Sequence, residues 1–228
     1  MVNGAMAMRM LAFTDFHGDS EAFGKAERLI RNEEWNCVIV AGDIANYDGE
    51  LAKRRLTQLA EERVPVLFVP GNMDSPELAS WPGTKSVRPL HGSSVMVGGV
   101  LFVGLGGSPL GPFSTPFQLS DDRAAKLLNQ AVAGFQKGAL VLVSHCPPKN
   151  TKLDIVPSGE HAGSIAVRNF VEKLNPTLVI SGHVHEARGV DSIGETTLVN
   201  IGPAVWGNFA DMTLENTGKA SVRLGNFL

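Results

Sequence analysis

Seven side chains in this sequence could bind metal ions or transfer protons, and each follows the end of a predicted strand. They are Asp, His and Asn residues, and four of the six histidines of the chain are among them. In chain order the set is Asp15, His17, Asp43, Asn72, His145, His183 and His185. On an extended segment, side chains two residues apart point the same way, which applies to the first and the last pair. Imidazole and carboxylate together suit Mn²⁺, Fe, Zn²⁺, Co²⁺ or Ni²⁺.

The size of this set indicates more than one ion. Seven ligands are too many for one tetrahedral ion. They fit two ions about 3.5–4 Å apart that share one carboxylate, as in two-metal hydrolases. Taken singly, an Asp or Asn at a strand end is most often a turn or cap residue, and a single His is most often structural. The joint pattern favours a metal site.

The segments that carry these residues alternate between short apolar runs and amphipathic stretches. Strands are predicted at 8–13, 37–41 and 64–69, with helices at 19–32 and 50–62 between them. This β-α-β-α-β order predicts a parallel sheet with right-handed crossovers. In such sheets ligands bind beyond the carboxyl ends of the strands, which is where the polar residues fall.

The middle of the chain has a different pattern. Residues 93–103 predict an antiparallel hairpin that turns at Gly98 and Gly99. Residues 104–120 are rich in Gly, Pro and Ser and predict a flexible flap beside the metal site, since long loops in compact domains are often functional. Phe113 and Phe117 could shape a substrate pocket there, or could anchor an ordinary surface loop.

The last part of the chain completes a mixed α/β pattern. Helices are predicted at 121–136 and 164–174, and strands at 139–144, 177–181, 189–193, 195–200, 210–215 and 220–224. We expect one domain over residues 1–228, built as two sheets face to face, a β-sandwich flanked by helices. Residues 1–7 are expected to form a loose leader before the first strand.

Composition excludes several classes of protein. The formal net charge is −3 and no basic run stands out, which argues against binding nucleic acid by charge. No apolar stretch is long enough to span a bilayer, and the opening "MVNGAMAMRML" does not resemble a signal peptide. Cys37 and Cys146 lie far apart, as expected in a reducing cytoplasm rather than in a disulfide framework.

The series Asp15-x-His17, Gly42-Asp43, Gly71-Asn72, His145 and Gly182-His183-x-His185 resembles the motifs of the calcineurin-like metallophosphoesterase superfamily. The resemblance runs from about Leu11 to Gly207. The stretches "SHCPPKNTKLD" and "GHVHEARG" look most like the small, stand-alone prokaryotic phosphodiesterase-like members. The resemblance implies a β-sandwich flanked by helices, with two divalent metals at the site.

Carried over position by position, the resemblance also implies a role for each ligand. Asp15, His17 and His185 would bind the first metal, Asn72, His145 and His183 the second, and Asp43 would bridge them. Mn²⁺ is the favoured metal, with Fe, Zn²⁺, Co²⁺ and Ni²⁺ open. The implied reaction is hydrolysis of a small phosphodiester or phosphomonoester by a metal-bridging hydroxide, without a covalent protein intermediate.

One position departs from the family pattern. Many members have a His after the Gly-Asn pair, where it helps to protonate the leaving group, whereas this chain has Met73 followed by Asp74. Methionine cannot donate that proton, and such proton transfer typically contributes about 10²–10⁴-fold. His161, in "GEHAGS", is the predicted catalytic substitute; an exposed loop histidine is the alternative.

Other side chains near the motifs have weaker assignments. Arg188 and Lys149 could contact phosphate oxygens, or could be surface charges. His91 is expected to be structural or to face solvent. Cys146 is interpreted as small packing beside the site, because it has no obvious activating partner.

Two further functions stay open at this point. A metal-binding scaffold of the same fold with little activity is one, although the intact ligand set argues against it. A nuclease is the other, disfavoured by the negative charge balance. A small phosphate ester is the expected partner, membrane and nucleic-acid partners are not expected, and a homo-oligomer is open.

Overall fold

The computed structural model describes residues 7–61, 64–215 and 218–227. The predicted leader at 1–7 therefore lies outside the described residues except for Ala7, which is exposed. The predicted end of the second helix at Glu62 also lies outside them.

Four helices and fourteen strands make up the described part of the chain. The helices are α1 (Ser20–Asn32), α2 (Gly49–Ala60), α3 (Asp121–Ala131) and α4 (Ile165–Leu174). The strands are β1 (Met8–Phe13), β2 (Cys37–Ala41), β3 (Val66–Val69), β4 (Val87–Pro89), β5 (Ser94–Val97), β6 (Val100–Leu105), β7 (Ser108–Pro109), β8 (Gln118–Leu119), β9 (Leu140–Ser144), β10 (Leu178–Ser181), β11 (Gly189–Ile193), β12 (Thr196–Asn200), β13 (Asn208–Leu214) and β14 (Ala220–Asn226).

The strands form two six-stranded sheets and one small two-stranded sheet. The first sheet has the order β14-β13-β1-β2-β3-β4, and the second has the order β11-β12-β10-β9-β6-β5. In the first sheet β1, β2, β3 and β4 run parallel, while β13 and β14 add an antiparallel edge. In the second sheet β6, β9, β10 and β12 are parallel, with β5 and β11 antiparallel at the edges.

Alternation along the strands explains the layered core. In β1, Met10 and Ala12 belong to the cluster between the sheets, where β9 contributes Val141 and Val143. Leu11 and Phe13 point the other way, into the cluster under α1 and α2. Because successive side chains alternate between faces, one apolar strand serves both layers. The cluster on the far side of the second sheet lies under α3 and α4, so the predicted helix-flanked β-sandwich is confirmed.

The helices begin at polar caps that directly follow the loops. The Asp19 side chain accepts the Ala22 N–H at 2.7 Å, and the Asp48 side chain accepts the Leu51 N–H at 2.8 Å. Such caps satisfy N–H groups that the first turn leaves without partners.

The predicted end of α3 at residue 136 is wrong, because the chain leaves the helix after Ala131 and Gly134 adopts a left-handed φ of 85°.

Residues 104–120 are not structureless, which corrects part of the flap prediction. Strands β7 and β8 pair in parallel within this segment. The Gly107 N–H donates to the Pro70 carbonyl at 2.9 Å, and the Phe117 N–H donates to the Asn72 carbonyl at 3.1 Å. Phe117 is buried, whereas Phe113 is 80% exposed. The segment is therefore attached to the turn that carries Asn72.

None of the helices in the described ranges combines the length and apolar character that crossing a bilayer requires.

Candidate metal centre

Hydrogen bonds between loops draw the predicted ligands together at one end of the two sheets. The Asp15 N–H donates to the Gly42 carbonyl, and the His17 N–H donates to the Asp43 carbonyl, both at 2.9 Å. In the second sheet the Gly182 N–H donates to the His145 carbonyl at 3.0 Å. The loops after β1 and β2 are thus joined, as are those after β9 and β10.

Several of these ligands have an unusual backbone conformation. Asp15, His17, Asp43 and His183 have φ values of 53°, 51°, 50° and 68°. A non-glycine residue with positive φ is uncommon, and each such residue costs on the order of 1–3 kcal/mol. Backbone strain of this kind clusters at functional sites, and here it falls on four of the seven predicted ligands.

Two glycines allow the loops to approach closely. A Cβ atom on Gly71 would collide with Oδ1 of Asp43, and one on Gly182 would collide with Oγ1 of Thr14 and lie 2.5 Å from Oδ2 of Asp15. Any side chain at these positions would displace a buried carboxylate. Steric crowding therefore explains why glycine precedes Asn72 and His183 in the sequence.

The first ligand group consists of Asp15, His17 and His185, which could hold a metal ion together. Asp15 Oδ1 lies 3.3 Å from His185 Nε2 and 3.8 Å from His17 Nε2. The two Nε2 atoms lie 3.5 Å apart. His17 Nδ1 lies 2.8 Å from Oδ1 of Asn46. A carboxamide oxygen only accepts, so Nδ1 carries the proton and Nε2 is left free to bind a metal.

The second group is formed by Asp15, Asp43 and His145, with Asn72 beside it. His145 Nε2 lies 2.9 Å from Asn72 Oδ1 and 3.6 Å from Asp43 Oδ1. The His183 ring is centred 5.0 Å from the His145 ring. Asp15 belongs to both groups, whereas Asp43, to which the resemblance assigns the bridge, belongs to the second group.

The residues present fit a divalent cation. His145 Nδ1 lies 2.8 Å from the Ala41 carbonyl oxygen and must donate to it. In the neutral imidazole Nε2 then carries a lone pair, yet it faces the Asn72 oxygen, which is also an acceptor. As these atoms are placed, two acceptors face each other, and a metal ion between them would satisfy both. The same donors, imidazole nitrogen and amide or carboxylate oxygen, are ligands of Mn²⁺, Fe and Zn²⁺.

Burial perturbs the titration of the site. Burial raises the pKa of the Asp43 carboxyl to about 6 despite the opposing charge of His145, and the neighbouring Asp15 and Asp74 charges add to the effect. Burial also acts on the pKa of Asp15, but the hydrogen bond from His185 and the charge of His145 outweigh it and lower that pKa. Burial and His145 lower the pKa of His183 to about 3, which keeps this imidazole neutral. Buried, strongly perturbed carboxylates are typical of functional sites.

Asp74 has a positioning role that its sequence position did not reveal. Its buried carboxylate accepts the N–H groups of Ile44, Ala45 and Gly71 at 2.8–3.1 Å. It therefore ties the turn after β2, which carries Asp43, to the turn after β3, which carries Asn72. Asn46, which orients His17, was also missed. In both cases the interaction joins residues from different loops, so no local pattern indicates it.

His161 does not belong to either ligand group. Its Nδ1 lies 2.7 Å from Oδ1 of Asp154, and 35% of its side chain is exposed. The buried Asp154 carboxylate also accepts the N–H groups of Asn150, Thr151 and Gly163. The neighbouring Leu153 carbonyl accepts the Asn200 amide, which also donates to the Val184 carbonyl between His183 and His185. His161 thus lies on a segment that hydrogen bonds connect to the loop carrying His183 and His185.

The remaining candidates divide into structural and open assignments. The Arg188 guanidinium donates from Nε to the Ile201 carbonyl and from Nη2 to the Gly225 carbonyl, which is a structural role, and a phosphate contact by Arg188 stays a prediction. Burial raises the pKa of the Cys146 thiol well above its usual value, which fits packing and not nucleophilic attack. His91 accepts the Gly106 N–H at Nδ1, 2.9 Å away, and is structural. A phosphate contact by Lys149 stays a prediction.

Comparisons with known proteins agree with this fold. A family model described as calcineurin-like phosphoesterase matches residues 8–187. The uncharacterized protein MJ1162 of Methanocaldococcus jannaschii is 31% identical over 203 residues, which is 86% of this chain and 88% of that protein. The crystal structure of TT1561 of Thermus thermophilus superposes with a TM-score of 0.75 at 19% identity, covering 97% of this chain and 99% of that one. A structure described as a novel archaeal phosphodiesterase has a TM-score of 0.56 at 15% identity and covers 96% of this chain and all (100%) of that one.

A helix-flanked double sheet with carboxylates and imidazoles at its strand ends is an arrangement that can hold divalent metal ions. Since the family model covers most of the sequence, this chain belongs to the calcineurin-like phosphoesterase family.

Proposed function

We propose that this protein is a two-metal hydrolase of a small phosphodiester or phosphomonoester. The observation that carries the proposal is the pair of ligand groups that meet at Asp15, with Asn72 Oδ1 2.9 Å from His145 Nε2. Two divalent ions, when bound, supply positive charge for the phosphate oxygens and lower the pKa of a bound water. Mn²⁺ is the first metal to test because the ligand set mixes imidazole with carboxylate and amide oxygens.

The chain's own residues would have distinct tasks. Asp15, His17 and His185 would hold the first ion, and Asn72, His145 and His183 would hold the second, with Asp43 as the carboxylate to which the family resemblance assigns contact with both. The Met73 N–H donates to Asp43 Oδ1 at 2.8 Å, so the backbone of Met73 orients the Asp43 carboxylate. The backbone of Met73 thus supports Asp43, whereas its side chain cannot donate the proton that a histidine at this position would supply.

We assign that missing task to His161. A buried carboxylate that accepts from one ring nitrogen fixes the orientation of an imidazole and stabilises its protonated form. Asp154 stands in this relation to His161 at 2.7 Å. Nε2 of His161 is then the nitrogen available to donate a proton to the leaving group. The test of this assignment compares leaving groups and is given in the Discussion.

The hydrolase proposal is tested with purified protein and Mn²⁺. We expect hydrolysis of bis-p-nitrophenyl phosphate or p-nitrophenyl phosphate. Asp43→Asn should abolish hydrolysis, because it removes the charge shared by the two metals. Asp122→Asn, at an exposed position in the first turn of α3, is the matched control and should leave the rate unchanged. Two bound ions without turnover under any divalent metal would instead favour the metal-binding scaffold.

The proposal also covers the cellular compartment, the size of the substrate and the oligomeric state. Both cysteines are buried and unpaired, which supports a reducing cytoplasm. The net charge of −3 supports a small ester rather than nucleic acid as substrate. Assembly into a homo-oligomer stays a prediction that size-exclusion chromatography can decide.

A further inference from the structure

Trp206 is a large apolar side chain that is half exposed beside a metal ligand. Half of its surface (50%) is open to solvent. Its ring stands edge-on to the His185 imidazole, with centroids 5.4 Å apart and an interplanar angle of 79°. His185 is itself a member of the first ligand group. A half-exposed indole therefore lies immediately beside the first ligand group.

The backbone before Trp206 is hydrogen-bonded to the loop after β1, which carries Asp15. It ends a short 3₁₀ helix, Ala204–Trp206. The Ala204 N–H donates to the Thr14 carbonyl at 2.8 Å, and the Val205 N–H donates to the Asp15 carbonyl at 3.3 Å. On the other side the Asn226 side chain donates to the Trp206 carbonyl at 2.9 Å. The 3₁₀ helix that ends at Trp206 is thus attached to the backbone of Asp15 and to β14, which places Trp206 beside the first ligand group.

A second exposed aromatic ring follows another residue that contacts the ligands. Tyr47 is 62% exposed and has a left-handed φ of 61°, which is a strained conformation for a bulky residue. Its N–H donates to the Met73 carbonyl at 2.8 Å. The preceding residue, Asn46, orients His17. Contacts therefore run from Trp206 through His185 and His17 to the residue before Tyr47.

We propose that Trp206 is a specificity-determining residue that packs against a planar aromatic group of the phosphate ester. The inference rests on the proposed function, because it needs the phosphate at the metals. A phosphate held at the first ligand group leaves its organic substituent next to the indole. Aromatic groups pair with Trp in offset or edge-to-face geometry, worth about 0.5–1.5 kcal/mol beyond area burial. An aryl group and a nucleobase offer the same planar chemistry.

Binding of non-hydrolysable phosphonates tests this directly. Phenylphosphonate and methylphosphonate share the metal-binding headgroup and differ in the planar ring. By isothermal titration calorimetry with Mn²⁺-loaded protein, we expect phenylphosphonate to bind roughly five- to tenfold more tightly. Trp206→Leu keeps an apolar side chain without the aromatic face and should reduce the ratio below about twofold, while Trp206→Phe should retain most of it. A parallel comparison of kcat/KM for adenosine 5′-monophosphate and ribose 5-phosphate distinguishes a nucleobase from a simple aryl group.

Controls separate this inference from a structural effect and from failure of the proposed function. Met96→Ala removes a comparably exposed apolar side chain (59%) on β5 and should leave the ratio unchanged. An equal loss of affinity for both phosphonates in Trp206→Leu, with lower metal content, would mean that Trp206 only supports His185 and would overturn the inference. Wild-type protein that hydrolyses bis-p-nitrophenyl phosphate but shows no phosphonate preference would overturn it alone. Absence of both hydrolysis and phosphonate binding would overturn the proposed function and the inference together.

Discussion

At the scale of single residues, the metal centre is defined by which atoms carry protons. Ala41 and Asn46 each supply an oxygen that fixes one imidazole tautomer, on His145 and His17. The other ring nitrogen of each histidine is then directed at the ligand groups. Second partners of this kind orient metal-binding histidines and raise their basicity.

The assignment of His161 as proton donor predicts an effect that depends on the leaving group. His161→Ala should slow hydrolysis of glycerol phosphate by about 10²-fold, since an alkoxide needs protonation. Hydrolysis of p-nitrophenyl phosphate should fall less than about threefold, because nitrophenolate leaves unaided. Steady-state kcat values for the two substrates measure the difference.

Met73→His in the His161→Ala background is the matching rescue, because it places a donor where other family members carry one. We expect it to restore part of the rate on glycerol phosphate. An equal loss on both substrates, or no loss on either, would rule out His161 as the donor.

His91 predicts a pH-dependent stability. Burial, with a smaller contribution from the charge of Arg123, lowers its pKa to about 4, and the unprotonated Nδ1 accepts the Gly106 N–H. As pH falls below about 6.5, the unfolded chain takes up a proton that the folded chain refuses, so the free energy of unfolding decreases. Between pH 7 and pH 4.5 the loss should be about 2 kcal/mol. Urea unfolding of metal-free protein at the two pH values measures it.

His91→Gln is the control, since a carboxamide oxygen can accept the same hydrogen bond without titrating. The variant should lose about 2 kcal/mol less than wild type over this pH range. Equal losses in the two proteins would show that another group carries the pH dependence.

At the scale of elements, the turns after the strands are the parts that the metal centre constrains most. Gly71→Ala should abolish Mn²⁺ binding, because the added methyl group would collide with Asp43 Oδ1. Gly24→Ala in α1 meets only the end of the Arg28 side chain, 3.9 Å away. It should therefore raise the free energy of unfolding by about 0.5–1 kcal/mol. Metal content by elemental analysis and urea unfolding would compare the two; metal binding retained by Gly71→Ala would contradict the steric argument.

Periodicity predicted the elements best where packing is local and regular. The strands β1, β2 and β11 have the predicted bounds, since each is an apolar or alternating run bounded by polar turns. Strand β4 was missed because Val87–Pro89 is short and contains a proline, and it exists through parallel pairing with β3. Pairing of β7 with β8 was missed for the same reason: a partner in space, not the local sequence, makes a strand of two residues.

At the scale of the whole molecule, the sequence predicted the layer order and the candidate metal ligands. It did not predict the residues that hold these ligands in position. The ligands follow strand ends, so the parallel order of the strands was enough to bring them to one edge. Asp74 and Trp206 act across loops that are distant in sequence, and their contacts depend on how the two sheets pack.

Metal binding should stabilise the entire fold. Since the ligands come from both sheets, an ion binds the folded chain and not the unfolded one. At a free metal concentration 100 times Kd the gain is about 2.7 kcal/mol per site. For a chain of this size, chelation of one such site should lower Tm by roughly 5–10 °C. Differential scanning calorimetry with and without EDTA measures the shift, and an unchanged Tm would mean that the groups hold no ion tightly.

The central claim is that two metal ions act together at the strand ends. The most direct test measures the rate of bis-p-nitrophenyl phosphate hydrolysis against the number of Mn²⁺ ions bound per chain. The predicted result is a rate that stays low up to one ion and rises to its maximum as the second ion binds. Full activity with one ion per chain, or with none, would contradict the two-metal account.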